Sequence, residues 1–163
     1  MNDSAVTLRE ITGANRDAVT ALRVGPGQDR FVGGVEESIR EAAETPEGAP
    51  WYRAIYAGDE PVGFVMLSWN VTPQPGIIGP WFLWRLLIDE RFQGRGFGRG
   101  ALRLVVELIR AEGATELLTS YQPGDGEPWP FYEKLGFVPT GEIDGTEVVL
   151  RLDLARDTAR VAR

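Results

Sequence analysis

Cysteine and histidine are both absent from the 163 residues of this chain. Without cysteine there can be no disulfide, no thiolate nucleophile and no sulfur-ligated metal. That composition suits a reducing compartment, and a cytoplasmic location is expected. Without histidine, acid–base chemistry near neutral pH falls to Glu, Asp, Tyr, Lys, the substrate or water. No metal site is expected. No apolar run approaches the ~18 residues of a membrane span. The opening MNDSAVTLRE lacks the basic-then-apolar order of a secretory signal, so no membrane association is expected. Positive charge is also scarce: 17 Lys+Arg stand against 24 Asp+Glu, a formal net charge of −7. Such a surface aids solubility, attracts cations mildly and disfavours nucleic acid as a partner.

With 43% hydrophobic and 25% charged residues, the chain has an ordinary globular mixture rather than a disordered one. Its length suits one domain, expected over residues 1–153. The arginine-rich stretch 154–163 is expected to be a flexible C-terminal tail. Alternation of branched and polar residues predicts a strand over 6–11. Asn15 can cap a short helix reaching about Arg23, broken by Gly25, Pro26 and Gly27. A second helix is expected over 35–43. Strands over 51–57 and 62–69 read as an antiparallel hairpin. The segment 70–80 holds too many prolines and glycines for a regular element. Residues 81–88 form a nearly continuous apolar run, short enough for a buried strand.

A Gly/Arg-rich turn over 93–100 comes next. A helix over 101–112 then shows Ala101, Leu104, Val105 and Leu108 at helical spacing. A strand over 116–121 and a short helix begun by Pro128 precede two strands, 137–143 and 146–153, around the hairpin signal Asp144-Gly145. The expected fold class is α/β (α+β): a mixed sheet with a parallel step where strand, helix and strand succeed one another near 101–121.

The chemistry concentrates in Gln93-Gly94-Arg95-Gly96-Phe97-Gly98-Arg99, between a buried strand and a helix N-terminus. A helix start leaves N–H groups unpaired and carries the positive end of the dipole. Glycines let that backbone approach an anion, and Arg95 and Arg99 can add charge-assisted contacts. Together these describe a pyrophosphate cradle. The glycines come too late in the chain, and at the wrong spacing, for a dinucleotide fold. A triphosphate loop would need Gly-Lys-Ser/Thr, which is missing.

Gln93-Gly94-Arg95-Gly96-Phe97-Gly98 resembles the Q/R-x-x-G-x-G/A motif of the GNAT N-acetyltransferase superfamily. Phe131-Tyr132-Glu133-Lys134-Leu135-Gly136-Phe137 resembles its second recurring segment, at the family's usual separation. The similarity covers about residues 51–152. In pattern it looks most like the diamine and spermine/spermidine acetyltransferase branch. The resemblance implies a GNAT acyl-CoA N-acyltransferase fold: a mostly antiparallel central sheet with a parallel, splayed pair, flanked by about four helices. It also implies acetyl-CoA as cofactor, a small-molecule amine as substrate, with a polyamine or diamine favoured, and a homodimer.

Carried over residue by residue, the strand backbone of Leu86, Leu87 and Ile88 would pair with the pantetheine arm. Gln93, Gly94, Arg95, Gly96, Phe97, Gly98 and Arg99 would hold the pyrophosphate. Tyr132 would be the general acid, protonating the departing sulfur. Read without the family, Leu86 to Ile88 are core, and Tyr132 is an aromatic packed on the sheet. The strand position that often carries the base is Trp84 here, with Arg85 beside it. Asp89, Glu90, Glu37, Glu41 or ordered water remain as bases, with Glu41 selected. Glu36, Glu37 and Glu41 also read as a solvated helix face. Many relatives carry an Asn before the tyrosine segment, and this chain has Asp125 there. The lack of cysteine favours direct transfer in a ternary complex. Other readings are acetylation of an amino-bearing antibiotic or of a peptide or protein amine, and a noncatalytic acyl-CoA-binding sensor.

Overall fold

A computed structural model describes residues 5–26 and 34–155. Gly27, read as part of the first helix break, and the tail from 156 onwards lie outside the described residues. The order is β1 (Thr7–Arg9), α1 (Arg16–Thr20), α2 (Val35–Glu44), β2 (Pro50–Ala57), β3 (Glu60–Ser68), β4 (Phe82–Ile88), α3 (Phe97–Ala111), β5 (Glu116–Tyr121), α4 (Trp129–Lys134), β6 (Val138–Asp144) and β7 (Glu147–Asp153). The strands form one sheet in the order β1-β2-β3-β4-β5-β7-β6. Every pairing is antiparallel except β4 with β5. The expected mixed sheet with one parallel pair and four helices is therefore what forms.

Helices cover both faces. On one, Val19 of α1 and Val35, Ile39 and Ala42 of α2 pack on Phe64, Met66 and Leu87. On the other, Leu102, Val105 and Ile109 of α3 meet Val65, Leu67, Leu83, Leu117 and Leu150. β3 thus buries alternate residues on opposite faces, which is why its sequence is apolar almost without break. Each such large side chain contributes roughly 1.5–3 kcal/mol of transfer free energy.

Two local expectations are corrected. Asn15 precedes α1 but makes no side-chain cap hydrogen bond. Its Oδ1 instead accepts from Thr12 N at 2.8 Å, and its Nδ2 donates to Glu10 O and Tyr56 Oη. On α3, the buried stripe is Gly98, Ala101, Leu102, Val105 and Ile109, and Leu108 is 43% exposed. The sheet selects a stripe rotated from the one that sequence spacing suggested, since both run at helical period. At the other end, Leu154 is fully buried and its N–H donates to Thr115 O at 3.0 Å. Packing therefore continues just past the end of β7.

β3 and β4 approach closely at Gly63. A Cβ there would fall on the Leu87 carbonyl oxygen and 2.8 Å from Ile88 Cδ1. Gly63→Ala is expected to destabilise the fold by about 2–3 kcal/mol, as overpacking against a backbone does. Urea melts of both proteins check this; an unchanged midpoint would show that β3 yields freely.

Candidate active site

The path of β4 opens the site. In its register with β3, Met66 faces Arg85 while Leu67 faces Leu83, so Trp84 is the extra residue of a bulge. A bulge re-aims the side chains that follow it. Leu83 accordingly packs in the core under α3, whereas Leu87 packs in the core under α1 and α2. On the other edge, β5 accompanies β4 only at Phe82↔Leu118 and Leu83↔Thr119. Beyond that point β4 continues to Ile88 while β5 diverges. The splay opens into a cavity of about 1400 Å³, lined by Leu86, Leu87 and Ile88 among others.

At the end of β4 the chain makes a tight turn over Glu90–Phe92. Gln93 Nε2 donates back to Ile88 O at 2.8 Å and fastens that turn. Gly96 takes φ 84°, a left-handed conformation that costs glycine little, and caps α3. The helix starts at Phe97, not near 101, so Phe97, Gly98 and Arg99 form its first turn. The helix's own first bond runs from Gly100 N to Gly96 O at 3.0 Å. Amides ahead of it have no acceptor within the helix, and the dipole's positive end lies there. Residues Gln93 through Arg99 all line the cavity. The residues expected from sequence to form a cradle thus share one cavity wall.

Tyr132, on α4, also lines the cavity while being only 8% exposed. Its ring meets Phe131 and Phe137 edge-on, at centroid distances of 5.4 and 5.3 Å. Burial pushes its phenol up to about 12, against a hydrogen bond with Thr119 that lowers it. Thr119 Oγ1 bonds Leu83 O at 2.9 Å and also lies in hydrogen-bond reach of the phenol. Tyr132, Thr119 and Leu83 therefore form a chain at the crotch of the splay. Thr119 was not found from sequence; the only signal was a hydroxyl inside a buried strand.

Of the carboxylates considered as bases, Glu37 and Glu41 line the cavity. Glu41 Oε1 accepts from Arg85 Nη2 at 2.7 Å, and Arg85 Nη1 donates to Trp84 O at 3.0 Å. Arg85 thereby ties the bulge to α2. Asp89 and Glu90 are not among the lining residues. Asp89 is 3% exposed and accepts from Arg23 N, Arg91 N and Arg91 Nε at 2.8–2.9 Å. Burial alone would raise its pKa, yet these bonds and the Arg91 charge outweigh it and leave it lowered. Asp125 is exposed and lies off the cavity wall.

The wall is completed by elements distant in sequence. Asp144 and Glu147 come from the β6–β7 hairpin, with Glu147 Oε1 accepting from Ser120 Oγ at 2.6 Å. Gly76, Ile77 and Ile78 come from the proline-rich loop. Of the five tryptophans, Trp84 lines the cavity, its ring packed against Gly48. Trp69 packs between Trp51, tilted at 5.0 Å, and Trp81, edge-on at 5.1 Å, a packing role.

Residues 18–137 match the model of the Acetyltransferase (GNAT) family. The spermine/spermidine N(1)-acetyltransferase of Bacillus subtilis (strain 168) is 26% identical over 154 residues, covering 90% of this chain and 98% of that protein. In fold, the chain is similar to AAC(6')-Ib in complex with ribostamycin and coenzyme A, with TM-score 0.74, 20% identity and 97% and 98% of the two chains covered. It is also similar to the PaiA N-acetyltransferase of Thermoplasma acidophilum in complex with coenzyme A, with TM-score 0.64, 15% identity and 91% and 99% covered.

Proposed function

Since the chain belongs to the GNAT acetyltransferase family and is an acetyl-CoA-dependent N-acetyltransferase, we propose that it acetylates a small polycationic amine, of the polyamine or diamine class. The observation that carries this reading is the distribution of carboxylates: Glu37 and Glu41 from α2, and Asp144 and Glu147 from the β6–β7 hairpin, line the same cavity as the cradle and Tyr132. Carboxylates spread over a wall attract an extended cation at several points. The similarity to a spermine/spermidine acetyltransferase supports the same class.

The residues fit acetyl-CoA. The amides of the α3 start and the cradle from Gln93 to Arg99 suit a pyrophosphate. The edge of β4 from Leu86 to Ile88 offers backbone groups to an amide-bearing arm. When bound, acetyl-CoA supplies the acetyl group as a thioester: the acceptor nitrogen forms a C–N bond, the C–S bond breaks and the thiol leaves. Tyr132 holds a proton at Oη for that sulfur. Its raised pKa keeps it protonated at rest, with a proton available when a thiolate forms beside it. Glu41 is positioned to receive the proton of the acceptor amine, directly or through water. Arg85 holds one of its oxygens in place, and the carboxylate has lone pairs to spare.

Thiol release from acetyl-CoA tests this with spermidine, spermine, putrescine, ribostamycin, amino acids and short peptides as acceptors. The polyamines are expected to give the highest kcat/KM. Turnover confined to ribostamycin or to peptides would overturn the acceptor class. Binding of acetyl-CoA without turnover of any amine would indicate a sensor. Glu41→Gln is expected to lower kcat/KM for spermidine about tenfold or more, since it removes a charge and a proton acceptor together.

A further inference from the structure

Asp89 is a buried carboxylate outside the cavity, and the chemistry above does not use it. Its hydrogen bonds nevertheless run to both sides of the site. Oδ2 accepts from Arg23 N at 2.9 Å, and Glu90 N returns a bond to Arg23 O at 2.8 Å. Arg23 thus pairs with the end of β4 almost as a strand would. The next residue, Val24, lines the cavity, as do Glu37 and Glu41 further along the same side. Oδ1 accepts from Arg91 N at 2.9 Å and Arg91 Nε at 2.8 Å, within the turn that leads into Gln93. Asp89 N donates to Val62 O at 2.9 Å, fixing the residue to β3.

We propose that Asp89 is a positioning residue that sets the two substrate half-sites against each other, one carboxylate oxygen for each. Oδ2 holds the acceptor wall through the backbone of Arg23. Oδ1 holds the pyrophosphate turn through Arg91. This rests on the reading that the cradle takes the pyrophosphate and that the acceptor lies along α2.

The division of labour between the two oxygens makes a selective test possible. In Asp89→Asn the amide keeps one acceptor oxygen and turns an NH₂ towards a donor. Keeping two bonds is better than keeping one, so the oxygen stays on Arg91 and the NH₂ faces Arg23 N. The acceptor wall is released while the turn is kept. Arg91→Ala does the reverse, removing the Nε bond and leaving Arg23 held. Its side chain is 64% exposed, so the fold tolerates the change.

Acetyl-CoA affinity would be measured by calorimetry, and kcat and acceptor KM with spermidine or the best amine of the panel. Asp89→Asn is expected to raise acceptor KM about tenfold, with the acetyl-CoA Kd within about twofold. Arg91→Ala is expected to raise the acetyl-CoA Kd about three- to tenfold, with acceptor KM within about twofold. A merely structural role would move both constants together. Equal shifts in either variant, or none in both, overturn the proposal. Should Asp89→Asn not fold, the split in Arg91→Ala decides alone. Gly96→Val run in parallel separates the premise from the proposal. Unchanged acetyl-CoA affinity there removes the cradle itself, whereas weakened affinity without the split removes only the role of Asp89.

Discussion

Tyr132→Phe is expected to lower kcat about a hundredfold or more while leaving the acetyl-CoA Kd within about twofold, the range and signature of a lost general acid. Phenylalanine preserves the edge-on packing against Phe131 and Phe137, so the fold should survive. What it removes is the hydroxyl and its link to Thr119. The thiolate must then leave unprotonated or take its proton from water, which is not held in place for it. Single-turnover thiol release and calorimetric binding make the comparison. Turnover equal to the parent would remove Tyr132 as the acid and leave it a packing aromatic.

The same phenol has two consequences for pH. Held up to about 12 by burial, it stays protonated across the working range. The profile of kcat/KM should therefore rise with pH as the acceptor amine deprotonates, with no falling limb from Tyr132 through pH ~10. Its folded pKa lies above the free value of ~10. The stability linked to it is complete below ~10 and is lost as pH climbs through about 12. Tyr132→Phe should lose that alkaline dependence, which denaturant melts at several pH values can read.

Gly96→Val is expected to weaken acetyl-CoA binding about 10- to 100-fold. At φ 84° a β-branched residue is strained by about 1–3 kcal/mol. The turn relieves the strain by changing its backbone angles, which moves the amides of Phe97 and Gly98 off their common focus. Each 1.4 kcal/mol lost is about tenfold in Kd. Gly96→Ala, with less bulk at the same angle, should fall between parent and valine. Affinity unchanged in both would falsify the cradle as the phosphate site.

Much of the architecture followed from local pattern. Runs of branched and aromatic residues bounded by turn residues located the strands and the two hairpins, because a strand covered on both faces buries nearly every side chain. The glycine-arginine segment pointed to a candidate anion site because few other backbone arrangements need glycine at a helix start. On α3 Ala101 and Val105 were placed correctly but Leu104 and Leu108 were not, since they keep helical period as well as Leu102 and Ile109 do. Only the neighbouring sheet selects between them.

The family was legible in two short contiguous segments, 93–98 and 131–137, because each pattern is complete within a few residues. The sequence by itself therefore determined the fold and the family, and it singled out the candidate cradle and tyrosine. The rest depended on residues far apart in the chain. Arg85 meets Glu41, Thr119 joins Tyr132 to Leu83, and Asp89 reaches Arg23 only after the sheet has formed. The bulge at Trp84 decides which face Arg85 takes, and it is a matter of register between β3 and β4. Such contacts leave no periodic trace, because they are single hydrogen bonds between elements whose relative placement is set by the packing of everything else.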